Sequence, residues 1–258
     1  MSSPIKTFQA GAMQVRVFPS RREASAAAAE AADAILRSAI AGRLRARMAV
    51  STGNSQLDFI DALVLARGLD WSAVESFHLD EYAGIEATHP ASFRLWLKTR
   101  LADRVPLRAM HYVNGDAADL EAECRRYGAL LAQAPIDVGF IGIGENGHIA
   151  FNDPPVADFA DPVPIKIVRL DGACRRQQVG EGHFPDISTV PEKALSLTCS
   201  AIVGMTNLIC CVPDLRKAMA VRDTITGPIS TACPASILRT HPRAQLFLDA
   251  ESASLLED

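Results

Sequence analysis

No run of apolar residues approaches the ~20 needed to cross a bilayer as a helix, and the first fifteen residues, MSSPIKTFQAGAMQV, hold no apolar stretch of leader length. A membrane partner is therefore not expected, and the chain reads as cytoplasmic. Excess positive charge is also missing: 26 Lys and Arg stand against 30 Asp and Glu, a formal net charge of -4. Nucleic acid calls for a basic footprint, so no nucleic-acid partner is expected and any anion must be held by a local site. Six cysteines occur, at Cys124, Cys174, Cys199, Cys210, Cys211 and Cys233, but none forms a C-x-x-C pair. Neither a zinc ribbon nor a disulfide framework follows from that spacing, and the thiols read as reduced core residues. What is present is ordinary: 258 residues, 48% hydrophobic and 22% charged, enough to bury a substantial core.

Apolar runs of strand length fall at 47–50, 74–79, 137–143, 208–212 and 245–248, after a shorter segment at 13–18. Such runs are typical of parallel strands buried on both faces. Between them lie helix-forming stretches at 22–43, 57–66, 90–101, 120–132 and 216–222. The alternation predicts an α/β fold with an open, mostly parallel sheet and helices on both faces. No repeat or linker divides residues 1–258, which read as one domain. Pro and Gly cluster between Asp153 and Pro191, and a long polar insertion beside a sheet predicts a lid over about 154–190.

In open sheets of this kind ligands bind beyond the carboxyl ends of the strands, and three strand ends are unusual. Ser51, Thr52, Gly53, Asn54 and Ser55 follow the 47–50 run and lead into a helix. Free N–H groups at a helix start suit a phosphate, although Asn54 or Ser55 as a plain N-cap fits equally well. Asp80 and Glu81 close the 74–79 run. Carboxylates there can serve as a general base if burial raises their pKa, or can be solvated helix-capping acids. The third end, Gly142-Ile143-Gly144-Glu145-Asn146-Gly147-His148, contains G-x-G-x-x-G. It does not fit a dinucleotide site, because Pro154 and Pro155 forbid the helix that must follow the glycines. What remains is a glycine turn presenting His148, with Asn146 and Asp153 near in sequence; such a histidine can transfer protons or can be structural.

Taken together, His78-Leu79-Asp80-Glu81-Tyr82, His89-Pro90-Ala91-Ser92-Phe93, Asn114-Gly115-Asp116 and the stretch from Gly144 to Pro154 resemble the glucosamine-6-phosphate deaminases. Val190 to Leu195 and Arg216-Lys217-Ala218 extend the resemblance, which runs from about Ala49 to the C-terminus. It implies a Rossmann-like α/β sandwich shared with 6-phosphogluconolactonases. It also implies conversion of an amino-sugar phosphate to a ketose phosphate with loss of ammonia, without metal or organic cofactor, on a small-molecule sugar phosphate as partner. By resemblance Asp80 is the base that takes the C2 proton and His148 moves protons in ring opening. Asp153 stands where the family usually has Glu, and Asn146 where many members have Asp; an amide can orient the imidazole but supplies no charge. Thr52, Gly53, Asn54, Ser55, Glu81, Gly147 and Lys217 are the substrate-binding set, Lys217 matching a phosphate-binding lysine.

One departure concerns the lid. The family usually places an arginine shortly before a Phe-Phe pair, whereas this chain has Gln178-Val179-Gly180-Glu181-Gly182-His183-Phe184. Arg175, Arg176 or His183 could substitute, and Arg175 is the preferred candidate. No recognisable set of basic residues for an allosteric activator is present, and a homo-oligomer stays open. Rival readings are a 6-phosphogluconolactonase, a non-catalytic sugar-phosphate sensor, and a deaminase or isomerase of a different phosphosugar. Lactonases typically carry Arg where this chain has Tyr82, which favours the deaminase.

Overall fold

The computed structural model describes residues 3–256. In chain order its elements are β1 (Lys6–Ala10), β2 (Met13–Phe18), α1 (Arg21–Arg43), β3 (Ala46–Val50), α2 (Leu57–Val64), β4 (Val74–His78), β5 (Asp80–Tyr82), α3 (Phe93–Leu97), β6 (Ala109–Met110), α4 (Leu120–Leu131), β7 (Val138–Ile141), β8 (Ile165–Arg169), α5 (Gly172–Gly180), β9 (Lys193–Leu197), α6 (Cys199–Val203), β10 (Leu208–Cys211), α7 (Ala218–Thr226) and β11 (Ala244–Asp249). Eight strands make one sheet in the order β1-β2-β11-β10-β7-β3-β4-β6, parallel throughout except for β1 against β2. The expected open α/β sheet is therefore present, with β3, β7 and β10 at its centre.

Those central strands read as unbroken apolar runs because both of their faces are covered. Along β3, Met48 and Val50 join Leu36 of α1 and Phe59 of α2 in one layer, while Ala49 joins Phe77 and Tyr127 of α4 in the other. Each fully buried ring of this kind stabilises the fold by roughly 1.5–3 kcal/mol. α1 starts where it does because Ser20 accepts the Glu23 N–H, and its alanine stripe at Ala24, Ala28 and Ala32 lets the helix lie close on the sheet. Among the described residues no helix is long and apolar enough to cross a membrane.

Three local expectations are corrected. The run at 74–79 does not continue as one strand: β4 stops at His78, and residues 80–82 leave the main sheet as β5, which pairs antiparallel with β9 and through it with β8. The insertion at 154–190 is not only loop, since it holds β8 and α5 over a small apolar core. Tyr82 is the hub of that core, with the rings of Phe93, Phe151 and Phe184 at 5.0, 5.2 and 5.3 Å. Finally, the helix expected over 90–101 is short, because the Ser92 hydroxyl at its start is drawn to Glu81 and the chain widens into a π-turn at Lys98–Ala102.

Candidate active site

Four strands of the main sheet deliver their carboxyl ends to one cleft. Residues 51–55 follow β3, Asp80 follows β4, residues 142–148 follow β7, and Lys217 follows β10; all these segments line the cleft. The three strand ends singled out in the sequence therefore open on a common space.

Asp80 and Glu81 are neighbours on β5, so their side chains must point to opposite faces. Asp80 faces the cleft. Burial pushes its carboxyl well above the ordinary carboxylate range, and the charge of Glu81 adds to the rise. Glu81 faces away and takes no part in the cleft lining. It accepts the N–H groups of Tyr82, Phe93 and Arg94 at 3.0, 3.2 and 2.9 Å and the Ser92 hydroxyl at 2.8 Å, with Arg94 Nε 3.5 Å away. Its expected place among the substrate-binding residues is thus not met: the carboxylate is wholly engaged in starting α3, the capping alternative, although buried rather than solvated.

His148 is positioned by the glycine turn. Gly144 donates its N–H to the His148 carbonyl at 2.9 Å, Gly147 closes the turn at a φ of +81°, and Asn146 Oδ1 accepts the His148 N–H at 3.1 Å. The imidazole lies flat over Gly144, where an added Cβ would come within 2.5 Å of ring atoms Nδ1, Cε1 and Nε2. Its Nδ1 sits 3.0 Å from Asp153 Oδ1, an ion-pair distance off the line of a well-aligned hydrogen bond. Asp153 also accepts the Asn146 amide at 3.0 Å. Burial would raise the Asp153 carboxyl, but His148, Asn146 and the Asp171 N–H outweigh it and hold it below its usual range. Asp153 and Asn146 stand behind the histidine rather than in the cleft, and Gly147 shapes the turn without lining the space.

The opposite wall is the 51–55 turn. Gly53 adopts a φ of +107°, a conformation that disfavours side chains. Asn54 and Ser55 do not cap α2: residues 54–56 form one 3₁₀ turn with no side-chain cap, so the N-cap alternative is not what their side chains do here. Ser51, which opens the turn, also lines the cleft, and its buried hydroxyl has no hydrogen-bond partner. Lys217 is buried, which pushes its ammonium down, while Glu181 and Glu145 push it back up. Arg175 is absent from the lining. Its guanidinium donates to the carbonyls of Ile187 and Val190 at 2.7 and 2.8 Å, tying the lid segment together, so the preferred substitute for a lid arginine is not in the cleft. In its place α5 brings Gln177 and Gln178, and the turn that ends it brings Glu181 and His183. A separate fixture holds that helix: Tyr82 donates its hydroxyl to Gln178 Oε1 at 2.6 Å.

His148, Asp153 and Cys174 have ligand atoms within 4.8 Å of one another, the one group of metal-binding chemistry found among the described residues. His148 and Asp153 already pair directly, and burial drives the Cys174 thiol far above its usual range, which disfavours the thiolate that a metal needs. The arrangement suits proton transfer better than metal binding.

The chain is similar to known proteins over most of its length. Residues 19–155 match the family of glucosamine-6-phosphate isomerases and 6-phosphogluconolactonases. Over 250 residues the chain is 35% identical to a glucosamine-6-phosphate deaminase of Arthrobacter sp. (strain FB24), covering 95% of this chain and 93% of the relative. It is 34% identical over 209 residues to one from Listeria monocytogenes serovar 1/2a (strain ATCC BAA-679 / EGD-e), covering 81% and 87%. A solved monomeric glucosamine-6-phosphate deaminase superposes with a TM-score of 0.85 at 30% identity, over 93% of this chain and 99% of that one. A 6-phosphogluconolactonase from Trypanosoma brucei shares the fold, with a TM-score of 0.78 at 17% identity over 98% of this chain and 100% of that one. With a cleft at the strand ends and this degree of likeness over nearly its whole length, the chain belongs to the glucosamine-6-phosphate isomerase and 6-phosphogluconolactonase family.

Proposed function

We propose that the chain converts glucosamine 6-phosphate and water to fructose 6-phosphate and ammonia, as a cytoplasmic enzyme acting without metal or organic cofactor. The observation that carries this reading is that Asp80, His148 and the 52–55 turn line one cleft. In this reading the phosphate lies against the N–H groups of the turn and near Lys217; one such charge-assisted contact contributes roughly 1.5–3 kcal/mol. His148, backed by Asp153, moves the proton between ring oxygen and C1 hydroxyl as the pyranose opens. Asp80 removes the C2 proton and gives an enolamine between C1 and C2. Protonation at C1 then yields a C2 iminium, which water attacks, and ammonia leaves. A raised carboxyl is a stronger base than an ordinary one, which suits abstraction of a weakly acidic C–H. Asn146 orients the pair through an amide, so His148 is steered by hydrogen bonds and by the single charge of Asp153. Residues 154–190 act as a lid within one domain spanning 1–258, and six unpaired cysteines suit a reducing compartment.

Tyr82 favours this reading over lactone hydrolysis, because its buried hydroxyl pairs with Gln178 and places no cation at the position where lactonases carry Arg. The test is to incubate purified protein with glucosamine 6-phosphate, no metal added, and to follow ammonium and ketose together. Both should appear in equal amounts. Hydrolysis of 6-phosphogluconolactone with no ammonium from the amino sugar would replace the deaminase by the lactonase.

A further inference from the structure

The anion end of the cleft is short of positive charge. Among the described lining residues Lys217 is the one Lys or Arg. The charged groups acting on it are Glu181, Glu145 and Asp214, opposed by Arg216, so two cations meet three carboxylates. A dianion entering there meets a set that is negative before it arrives. The remaining basic group in the lining besides His148 is His183, and it is tied to the most buried of those carboxylates: its Nε2 lies 3.3 Å from Glu181 Oε2.

The way α5 ends fixes this pair. Gly182 sits in the left-handed region at a φ of +81°, donates to the Val179 carbonyl at 3.0 Å, and lets His183 donate its N–H to the Gln178 carbonyl at 3.0 Å. That pattern is a Schellman C-cap, and it holds Glu181 and His183 on either side of one rigid turn. Glu181 is fixed further by the Gln177 amide at 2.8 Å, while Gln177 Oε1 accepts the Glu145 N–H of the glycine turn at 3.1 Å. The lid helix is thereby pinned to the same turn that presents His148. Burial alone would raise the Glu181 carboxyl, yet His183, Lys217 and Gln177 together hold it below its usual range, so it stays ionised. The carbonyl end of α5 adds further partial negative charge beside the ring. His183 Nδ1 makes no hydrogen bond among the described residues, which leaves it as the ring donor for a ligand.

We propose that protonated His183, held by Glu181, is the second cation of the anion end, so that binding of a dianionic group rises and falls with the charge on this one lid imidazole. The proposal rests on the reading that this end takes the sugar phosphate. The charged group against the ring is Glu181 at the end of α5, and the groups around Lys217 are that same Glu181, Arg216 and Asp214 from the turn before α7, and Glu145 from the glycine turn; protonating His183 adds a third cation to a set of three carboxylates. His183 is then a specificity-determining residue, because a neutral or monoanionic sugar gains little from it.

Sulfate is the probe, since it remains a dianion across the range where an ordinary histidine titrates. Calorimetry at low salt at about pH 6 and about pH 8.5 should show wild-type protein losing affinity about tenfold at the higher pH, the size of one charge-assisted contact. His183→Ala should bind weakly at both pH values, and His183→Arg tightly at both. For glucosamine 6-phosphate, His183→Ala should raise KM about tenfold with kcat within about threefold. Equal pH ratios in wild type and His183→Ala would overturn the proposal. So would a wild-type-sized fall in His183→Arg, which would place the titration on Lys217; this second variant decides the matter if the alanine protein does not fold. Failure of the deaminase reading is separable: pH-dependent sulfate binding without ammonium release would sink that reading alone.

Discussion

Gly144→Ala tests the claim that the glycine turn exists to lay the His148 ring against backbone. An added methyl would lie within 2.5 Å of Nδ1, Cε1 and Nε2, whereas ordinary contact begins at 3.4 Å, so the ring must retreat by about 1 Å. Retreat along the ring normal disturbs the 3.0 Å pair with Asp153 and moves both ring nitrogens off their stations. Misplacement of that order costs about a hundredfold in rate when it affects a positioned catalytic group. Overpacking also destabilises, by roughly 1–3 kcal/mol, which a folded α/β chain of this size tolerates. The assay is ammonium release at saturating glucosamine 6-phosphate, with circular dichroism and thermal melting alongside. A folded variant with kcat down about a hundredfold is expected. A folded variant retaining a third or more of wild-type kcat would refute the argument that His148 acts from this geometry.

Four further outcomes follow from the contacts of the site. Asp80 has a raised carboxyl, so its neutral form is favoured by the fold and its contribution to stability is present at low pH and lost as pH rises through the raised value. Asp80→Asn should therefore melt above wild type, with a gap that widens from about pH 4 to about pH 8; a gap independent of pH would contradict the buried-carboxyl account. By the same sign, wild-type kcat/KM should fall on the acid side at a pH above the ordinary carboxylate range, and a limb near that of a free Asp would count against Asp80 as a buried base. Tyr82→Phe strands the buried Gln178 carbonyl oxygen and loosens the lid helix; a loss of about 1–3 kcal/mol is expected, and thermal melting with no change would show that the 2.6 Å bond carries nothing. His148→Ala should slow closed-ring substrate more than an open-chain analogue, and equal losses on both would remove the ring-opening role.

Much of this site was legible in the sequence because its parts are local. A strand that ends in small hydroxyl residues, a strand that ends in an acid and a glycine turn that carries a histidine each announce themselves within a few residues, and the parallel-sheet rule predicts that they converge. Glu81 was misplaced even though the signal to correct it was present: consecutive strand residues face opposite ways, so Asp80 and Glu81 could not both look into the cleft. Arg175 was different. Its carbonyl partners at Ile187 and Val190 depend on how the lid folds back, and nothing in the run from Gln178 to Phe184 reveals that. The second sheet was illegible for a similar reason, since β5 pairs with β9 across more than a hundred residues and three-residue strands carry too little pattern. Glu181 was missed because it belongs to a helix end whose turn becomes apparent only once Gly182 is seen in the left-handed region.

The most direct test of the proposed chemistry follows glucosamine 6-phosphate carrying deuterium at C2, with wild-type protein and Asp80→Asn compared by NMR for loss of the label and by assay for ammonium. Wild type should lose the C2 deuterium in step with ammonium release, and the asparagine variant, folded, should do neither. Ammonium release by Asp80→Asn at the wild-type rate, or release by wild type with the C2 deuterium retained, would contradict the account.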